Sequence, residues 1–408
     1  MAVLAAHVVF RGLTVVSTLT QSVVLARSLT VPEIGLYYLI ATMAYVGSAA
    51  VFVGADINLQ RRVADVAREG LLPDRTSLWR YFAITSFIGL GLVAAVSAAF
   101  FDSRFSPLWR VVSACCLISF ATYAATIYRN SLLVSGRVIR SSAAQATDAV
   151  GKLAAVWIVS ISVQDADPVG FTLGSATGSA AVLLLFATIG RWSTSKPTIR
   201  LAPESLVNSL KRILPISSSG LLNWAQTQAY RPLLAILHAP MDIVGTTSLL
   251  IGLGSTAAMS WFAVVAQVQV PKVYASRGHH FRPYLNMLGI STVCLGVLAL
   301  PAGWLFLMLA NKPELLPYLG LLLVGVLLEA GSAAIGVEIN RANASGGSLW
   351  HLPLAGAAAC AVTLAALLLA PAQLRTVWFV AGALTAGQVV AVTLVWLPTA
   401  WRTIRTHA

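Results

Sequence analysis

The chain has 408 residues, of which 58% are hydrophobic and only 10% charged, with a net charge of +13. An ordinary soluble domain carries about 25% charged residues, so this composition argues against a water-soluble fold, and four cysteines without a Gly or Pro period exclude a disulfide scaffold, a collagen and a disordered chain. What remains is an all-α polytopic membrane protein, because a hydrocarbon core of about 30 Å takes roughly 20 helical residues per crossing.

Taken in chain order, the apolar runs predict about twelve transmembrane helices, at 3–26, 35–57, 78–101, 108–129, 141–162, 169–190, 213–237, 243–270, 284–308, 316–338, 350–371 and 376–400. The first run has no basic lead and no small-residue cleavage site, so it reads as a helix rather than a removable signal. In it His7, Arg11, Thr14, Thr18, Gln21 and Ser22 share an arc of about 100°, which makes one face polar. After the second crossing, Leu59, Val63 and Val66 fall on one side of a helix and Arg61, Arg62, Asp65 and Arg68 on the others, with Gly70 as a stop. That pattern predicts an amphipathic segment lying in the interface against anionic lipid. In the fifth helix Gln145, Asp148 and Lys152 share a face, and the four-residue spacing of the last two permits an intrahelical ion pair. The seventh carries Ser219, Asn223, Gln226, Thr227, Tyr230 and Arg231 on one arc. Beside them Pro232 removes the helical bond to the Gln228 carbonyl and predicts a break. In the tenth, Glu329 stands near mid-depth.

The basic residues sort by side. With both termini cytoplasmic, most Lys and Arg, among them Arg61, Arg62, Arg129, Arg137, Arg140, Arg191, Arg212 and Arg341, fall inside, whereas Arg27, Arg104, Arg110, Lys312 and Arg375 fall outside. The positive excess therefore records orientation, and no nucleic-acid partner is expected. Arg11, Lys152 and Arg231 remain at depth, where a charge costs about 2.5 to 3.5 kcal/mol on the mildest scale and faces a bundle interior or a wet cavity. These residues predict a positive central cavity lined by Arg11, Thr14, Thr18, Gln21, Lys152, Asn223, Gln226 and Arg231. Asp148 and Glu329 are the candidates for ion coupling. Cys115, Cys116, Cys294 and Cys360 read as small buried side chains without metal-ligand spacing. His279 and His280 lack a third ligand, and there is no phosphate loop and no catalytic constellation. Neither a cofactor nor a metal nor an enzymatic activity is expected.

The polar stretch 191–212 divides the chain into an N-terminal lobe, 1–190, a cytoplasmic linker and a C-terminal lobe, 213–408. An offset of 210 sets Val31-Pro32-Glu33-Ile34-Gly35 on Met241-Asp242-Ile243-Val244-Gly245, each an external turn with an acidic residue and a Gly. Six crossings per half give both halves the same orientation, a parallel repeat of the kind common in secondary transporters.

At Arg27-Ser28-Leu29-Thr30-Val31-Pro32-Glu33-Ile34-Gly35-Leu36-Tyr37 the chain resembles the polysaccharide-exporter, Wzx-like branch of the multidrug/oligosaccharidyl-lipid/polysaccharide (MOP) flippase superfamily, which is MATE-like in fold. The resemblance implies two parallel six-helix lobes that open alternately to either side of a bacterial cytoplasmic membrane. It further implies translocation of a polyprenyl-diphosphate-linked oligosaccharide in polysaccharide biosynthesis, among membrane lipids and with a polysaccharide polymerase or glycosyltransferase as partner. Arg11, Lys152 and Arg231 would meet the anionic head group. The alternative is a cation-coupled MATE-type small-molecule exporter, with Asp148 or Glu329 carrying the ion.

Overall fold

The computed structural model describes residues 2–68, 72–101, 107–134, 137–163, 166–189, 198–199, 206–345 and 350–407. Gly70, Arg104, Arg191 and most of the segment 191–205 lie outside the described residues. Nearly everything else is helix, in the order α1 (Ala2–Ser28), α2 (Val31–Gly47), a π-helical turn (Ser48–Phe52), α3 (Val53–Arg68), α4 (Arg75–Phe100), α5 (Leu108–Val134), α6 (Val138–Ser162), α7 (Pro168–Ile189), α8 (Leu206–Thr227), α9 (Tyr230–Ile236), α10 (Met241–Ala275), α11 (Phe281–Leu309), α12 (Leu321–Ser345), α13 (His351–Leu369) and α14 (Val377–His407). Two two-residue strands, β1 (Leu72–Pro73) and β2 (Thr198–Ile199), pair in parallel. The protein is a multi-pass, all-α membrane protein. Among the described residues ten helical stretches are long and apolar enough to cross a bilayer. The predicted fifth and seventh crossings fall short by composition, since α6 holds Arg140, Asp148 and Lys152, and α8 is amphipathic.

Local chemistry explains several helix starts. The Glu33 carboxylate accepts the Thr30 N–H at 2.7 Å and the Thr30 hydroxyl at 2.8 Å, half of a capping box that opens α2. Asp74 accepts the Ser77 N–H at 3.0 Å ahead of α4. Asp167 does the same for Gly170 at 2.7 Å, with Pro168 as first residue of α7, where its missing N–H costs nothing.

Two departures from simple helices matter. The break expected at Pro232 is present: α8 ends at Thr227 and α9 begins at Tyr230, with the Arg231 N–H taking the Gln228 carbonyl at 3.3 Å. The second crossing, by contrast, is not one α-helix. A π turn inserts at Ser48–Phe52, and α3 then runs on to Arg68. The interfacial segment expected at 59–68 is therefore the continuation of this column. Leu59 and Val63, each 2% exposed, pack inside rather than against lipid.

By contacts the chain forms two compact units, one of Met1–Leu29 and Tyr37–Leu221, the other of Thr30–Leu36 and Leu222–Ala408. In the first, α5 packs on α3, α4 and α7, and α6 on α1 and α7. In the second, α12 packs on α10, α11 and α14, and α13 on α9 and α14. These pairings correspond in chain order, although α5 also packs on α6 in the first unit and α10 on α14 in the second. The first core stacks Phe52 on Tyr123 with ring centroids 3.9 Å apart. The second gathers Phe262, Val265, Tyr284, Leu288 and Val326. Outward faces carry bare apolar side chains such as Phe87, Trp109, Ile290 and Leu369, as lipid contact requires. Cys294 is among the exposed residues, unlike buried Cys115 and Cys360.

Candidate functional site

The first unit holds a layer of charge inside its bundle. Asp148 and Lys152, one turn apart on α6, form the expected ion pair at 2.8 Å, and the Ser179 hydroxyl on α7 donates to the other Asp148 oxygen. On α3 the buried Asp56 accepts the Asn130 amide of α5 at 2.6 Å and the Gln60 amide at 2.7 Å, both on Oδ2. Arg129, the neighbour of Asn130, is attracted by both Asp148 and Asp56 yet makes no hydrogen bond or ion pair through its side chain with a described residue. It also lies close enough to Arg11 for the two guanidinium groups to repel one another. The Arg11 Nε is buried and has no partner among the described residues. By helical rise, Arg11, Asp148 and Ser179 each sit roughly 15 Å in from the ends of α1, α6 and α7 marked by Ala2, Val138 and Ile189. Arg11 and Asp148 thus stand at similar distances along their helices, with Lys152 one turn beyond Asp148 and Arg129 about 8 Å from the end of α5 at Val134.

The hydroxyls of the α1 stripe do something simpler. Thr14 donates to the Phe10 carbonyl at 2.9 Å and Thr18 to the Thr14 carbonyl at 2.9 Å, so both are satisfied by their own helix. Gln21 reaches the Ser175 hydroxyl on α7 at 3.5 Å. The His7 side chain is outside the described residues.

In the second unit the predicted polar arc splits. Asn223 is exposed, whereas Gln226 is 1% exposed and donates to the Leu384 carbonyl of α14 at 3.2 Å. Arg231 is 7% exposed; its Nε donates to the Ser248 hydroxyl at 2.8 Å and the Tyr230 hydroxyl at 3.1 Å, and a further N–H meets the Gln228 side chain. It staples the helix break to α10. Glu329 on α12 accepts the Ser255 hydroxyl of α10 at 2.5 Å and has no ion pair among the described residues. Gln226, Arg231 and Glu329 thus have separate sets of partners.

Arg129 and the Glu338–Arg341 pair were not legible as interior charges, and Asp56 was passed over. Arg129 and Arg341 stand near helix ends, where a cation ordinarily marks the cytoplasmic margin. Arg341 instead grips the buried Glu338 through two bonds of 2.5 and 2.6 Å. Asp56, the one acidic residue within the predicted second crossing, carried the signal that could have been read. Among the described residues no cluster of His, Cys, Asp and Glu could hold a metal ion.

No family model and no curated protein matches this sequence. Solved structures do. An inward-facing multidrug resistance MATE family transporter of the MOP superfamily superposes with TM-score 0.66 at 14% identity over 98% of each chain. The lipid II flippase MurJ, in an inward closed conformation, matches with TM-score 0.63 at 12% identity, over 97% of this chain and 87% of that one. A MATE protein in complex with MaL6 gives 0.65 at 12% identity, over 98% and 96%. The chain therefore has the MATE-like fold.

Proposed function

We propose that this protein is a transporter of the MOP superfamily, in its polysaccharide-exporter branch, and moves a polyprenyl-diphosphate-linked oligosaccharide across a bacterial cytoplasmic membrane by alternating access. Both termini are cytoplasmic in this reading, and the protein translocates its substrate without chemically altering it. The observation that carries the proposal is the surplus of positive charge inside the first unit, where Arg11, Arg129 and Lys152 outnumber Asp56 and Asp148, and where Arg11 and Arg129 lack direct partners among the described residues. Unpaired cations at membrane depth are costly, and a diphosphate supplies the counter-charge through charge-assisted hydrogen bonds. In this reading Thr14, Thr18 and Gln21 belong to the polar face of the first unit, and Arg231 holds the helix break in the second. A polysaccharide polymerase or glycosyltransferase would act on the exported product.

The test is the fate of the lipid-linked intermediate. Cells lacking the protein should accumulate lipid-linked repeat units in the inner leaflet, and an Arg11→Gln, Arg129→Gln double variant should fail to clear them while still inserting in the membrane. Normal surface glycan in the deletion strain, with no second flippase present, overturns the proposal.

One observation favours the second reading, a cation-coupled exporter of small molecules. Glu329 is a carboxylate within an apolar helix whose described partner is a neutral hydroxyl, as a reversible ion or proton site requires. Transport that keeps its dependence on a proton or sodium gradient in Glu329→Gln removes that residue from coupling.

A further inference from the structure

Between α5, α6 and α7 the first unit contains a cavity of about 20 Å³, lined by Tyr128, Arg129, Gln145, Asp148 and small side chains including Ala144. Such a volume is enough for an ordered water, which needs about 10 to 15 Å³ and two to four polar partners.

The polar groups around the cavity are incomplete in a particular way. The Gln145 Oε1 is buried with no hydrogen-bond partner. The Arg129 guanidinium, rich in donors, has none among the described residues, while its main-chain carbonyl is already used by the Ser141 hydroxyl at 3.0 Å. Asp148 takes one bond on each oxygen, from Ser179 and from Lys152, which leaves further lone pairs. The cavity is thus flanked by a donor without an acceptor and by two acceptors with room for a donor. A water molecule matches this set, since it accepts once and donates twice. Chloride would meet the Gln145 oxygen and the Asp148 carboxylate as repulsive neighbours, and a metal cation would meet Arg129 and Lys152.

We infer that one ordered water occupies this cavity, accepting from Arg129 and donating to Gln145 Oε1 and Asp148. It joins α5 to the Asp148–Lys152–Ser179 group, so that the charge layer across α5, α6 and α7 is a single network. Arg129 is thereby a positioned residue and keeps its remaining N–H groups for other partners. The inference stands independently of the transport reading.

The direct experiment is a structure of the full chain at a resolution that shows ordered water. A single peak within hydrogen-bonding distance of Arg129, Gln145 and Asp148 is expected; an empty cavity, or a peak that scatters as a halide when bromide replaces chloride, overturns the inference. A pair of variants gives a second readout. Ala144→Val displaces the water and should lower the unfolding temperature by about 3 °C, whereas Ala144→Ser offers a hydroxyl in the water's place and should leave it unchanged. In a dry cavity the added methyl groups would gain contacts, so a Val variant as stable as the parent, or equal losses in both variants, overturns the inference.

Discussion

Gly35 and Gly245 touch, and they do so reciprocally. A Cβ on Gly35 would lie 2.7 Å from the Met241 carbonyl oxygen and 3.0 Å from the Gly245 nitrogen, and a Cβ on Gly245 would lie 2.0 Å from the Val31 carbonyl oxygen. Under the 210-residue offset Val31 corresponds to Met241 and Gly35 to Gly245, so each contact is the image of the other, as in a self-complementary interface. The turns that mark the repeat in the sequence are the turns that pack on one another.

The obstructing atoms are backbone, which cannot swing aside. Gly245→Ala should therefore destabilise the protein by about 1 to 3 kcal/mol, read as a fall in unfolding temperature in detergent. Gly382, in helix α14 with nothing within 4 Å of its would-be Cβ, is the control. There, Gly382→Ala should be neutral or stabilising, by up to about 1 kcal/mol. Equal effects at the two positions would contradict the close approach.

Asp56 and Asn130 lie 74 residues apart and share a bond of 2.6 Å. Asp56→Ala leaves the Asn130 and Gln60 amides without their acceptor, at a cost of about 1 to 3 kcal/mol. Asn130→Ala should add little on top of it. A double-mutant cycle with a coupling energy near zero would show that the bond contributes nothing to stability.

The Asp148–Lys152 pair has side chains only 17% and 23% exposed, so its members depend on each other. Lys152→Met alone strands a carboxylate and should cost up to about 3 to 5 kcal/mol. The double variant Asp148→Asn, Lys152→Met should recover part of that loss. Thermal unfolding of the three variants decides it, and a double variant worse than either single one would point to a further role for the charges in folding.

Arg231 has its guanidinium bound to Ser248, Tyr230 and Gln228. Ser248→Ala should loosen the junction of α9 with α10 and lower stability by about 1 to 3 kcal/mol. Arg231→Gln should reduce the folded amount more than it reduces transport per folded molecule. Arg11→Gln should show the opposite pattern, because its Nε has no described partner to lose. Expression in membranes and transport normalised to folded protein separate the two.

What the sequence determined by itself is one-dimensional. Hydropathy over some 20 residues fixed where each helical column runs, because the bilayer penalises any unpaired polar backbone. The missing N–H of Pro232 placed the break between α8 and α9, and four-residue spacing placed Lys152 over Asp148. Each of these depends on residues within a turn or two of one another. The tertiary structure decided which faces meet. A rotation of one residue turns a side chain by about 100°, so the sequence could not tell that Arg231 faces Ser248, that Glu329 faces Ser255, or that Arg129 turns inward between Asp56 and Asp148 and not toward the cytoplasmic margin. The π turn at Ser48–Phe52 belongs with these. It adjusts the rotation of α3 relative to α2 by a fraction of a turn, and Asp56 reaches Asn130 from the rotated segment.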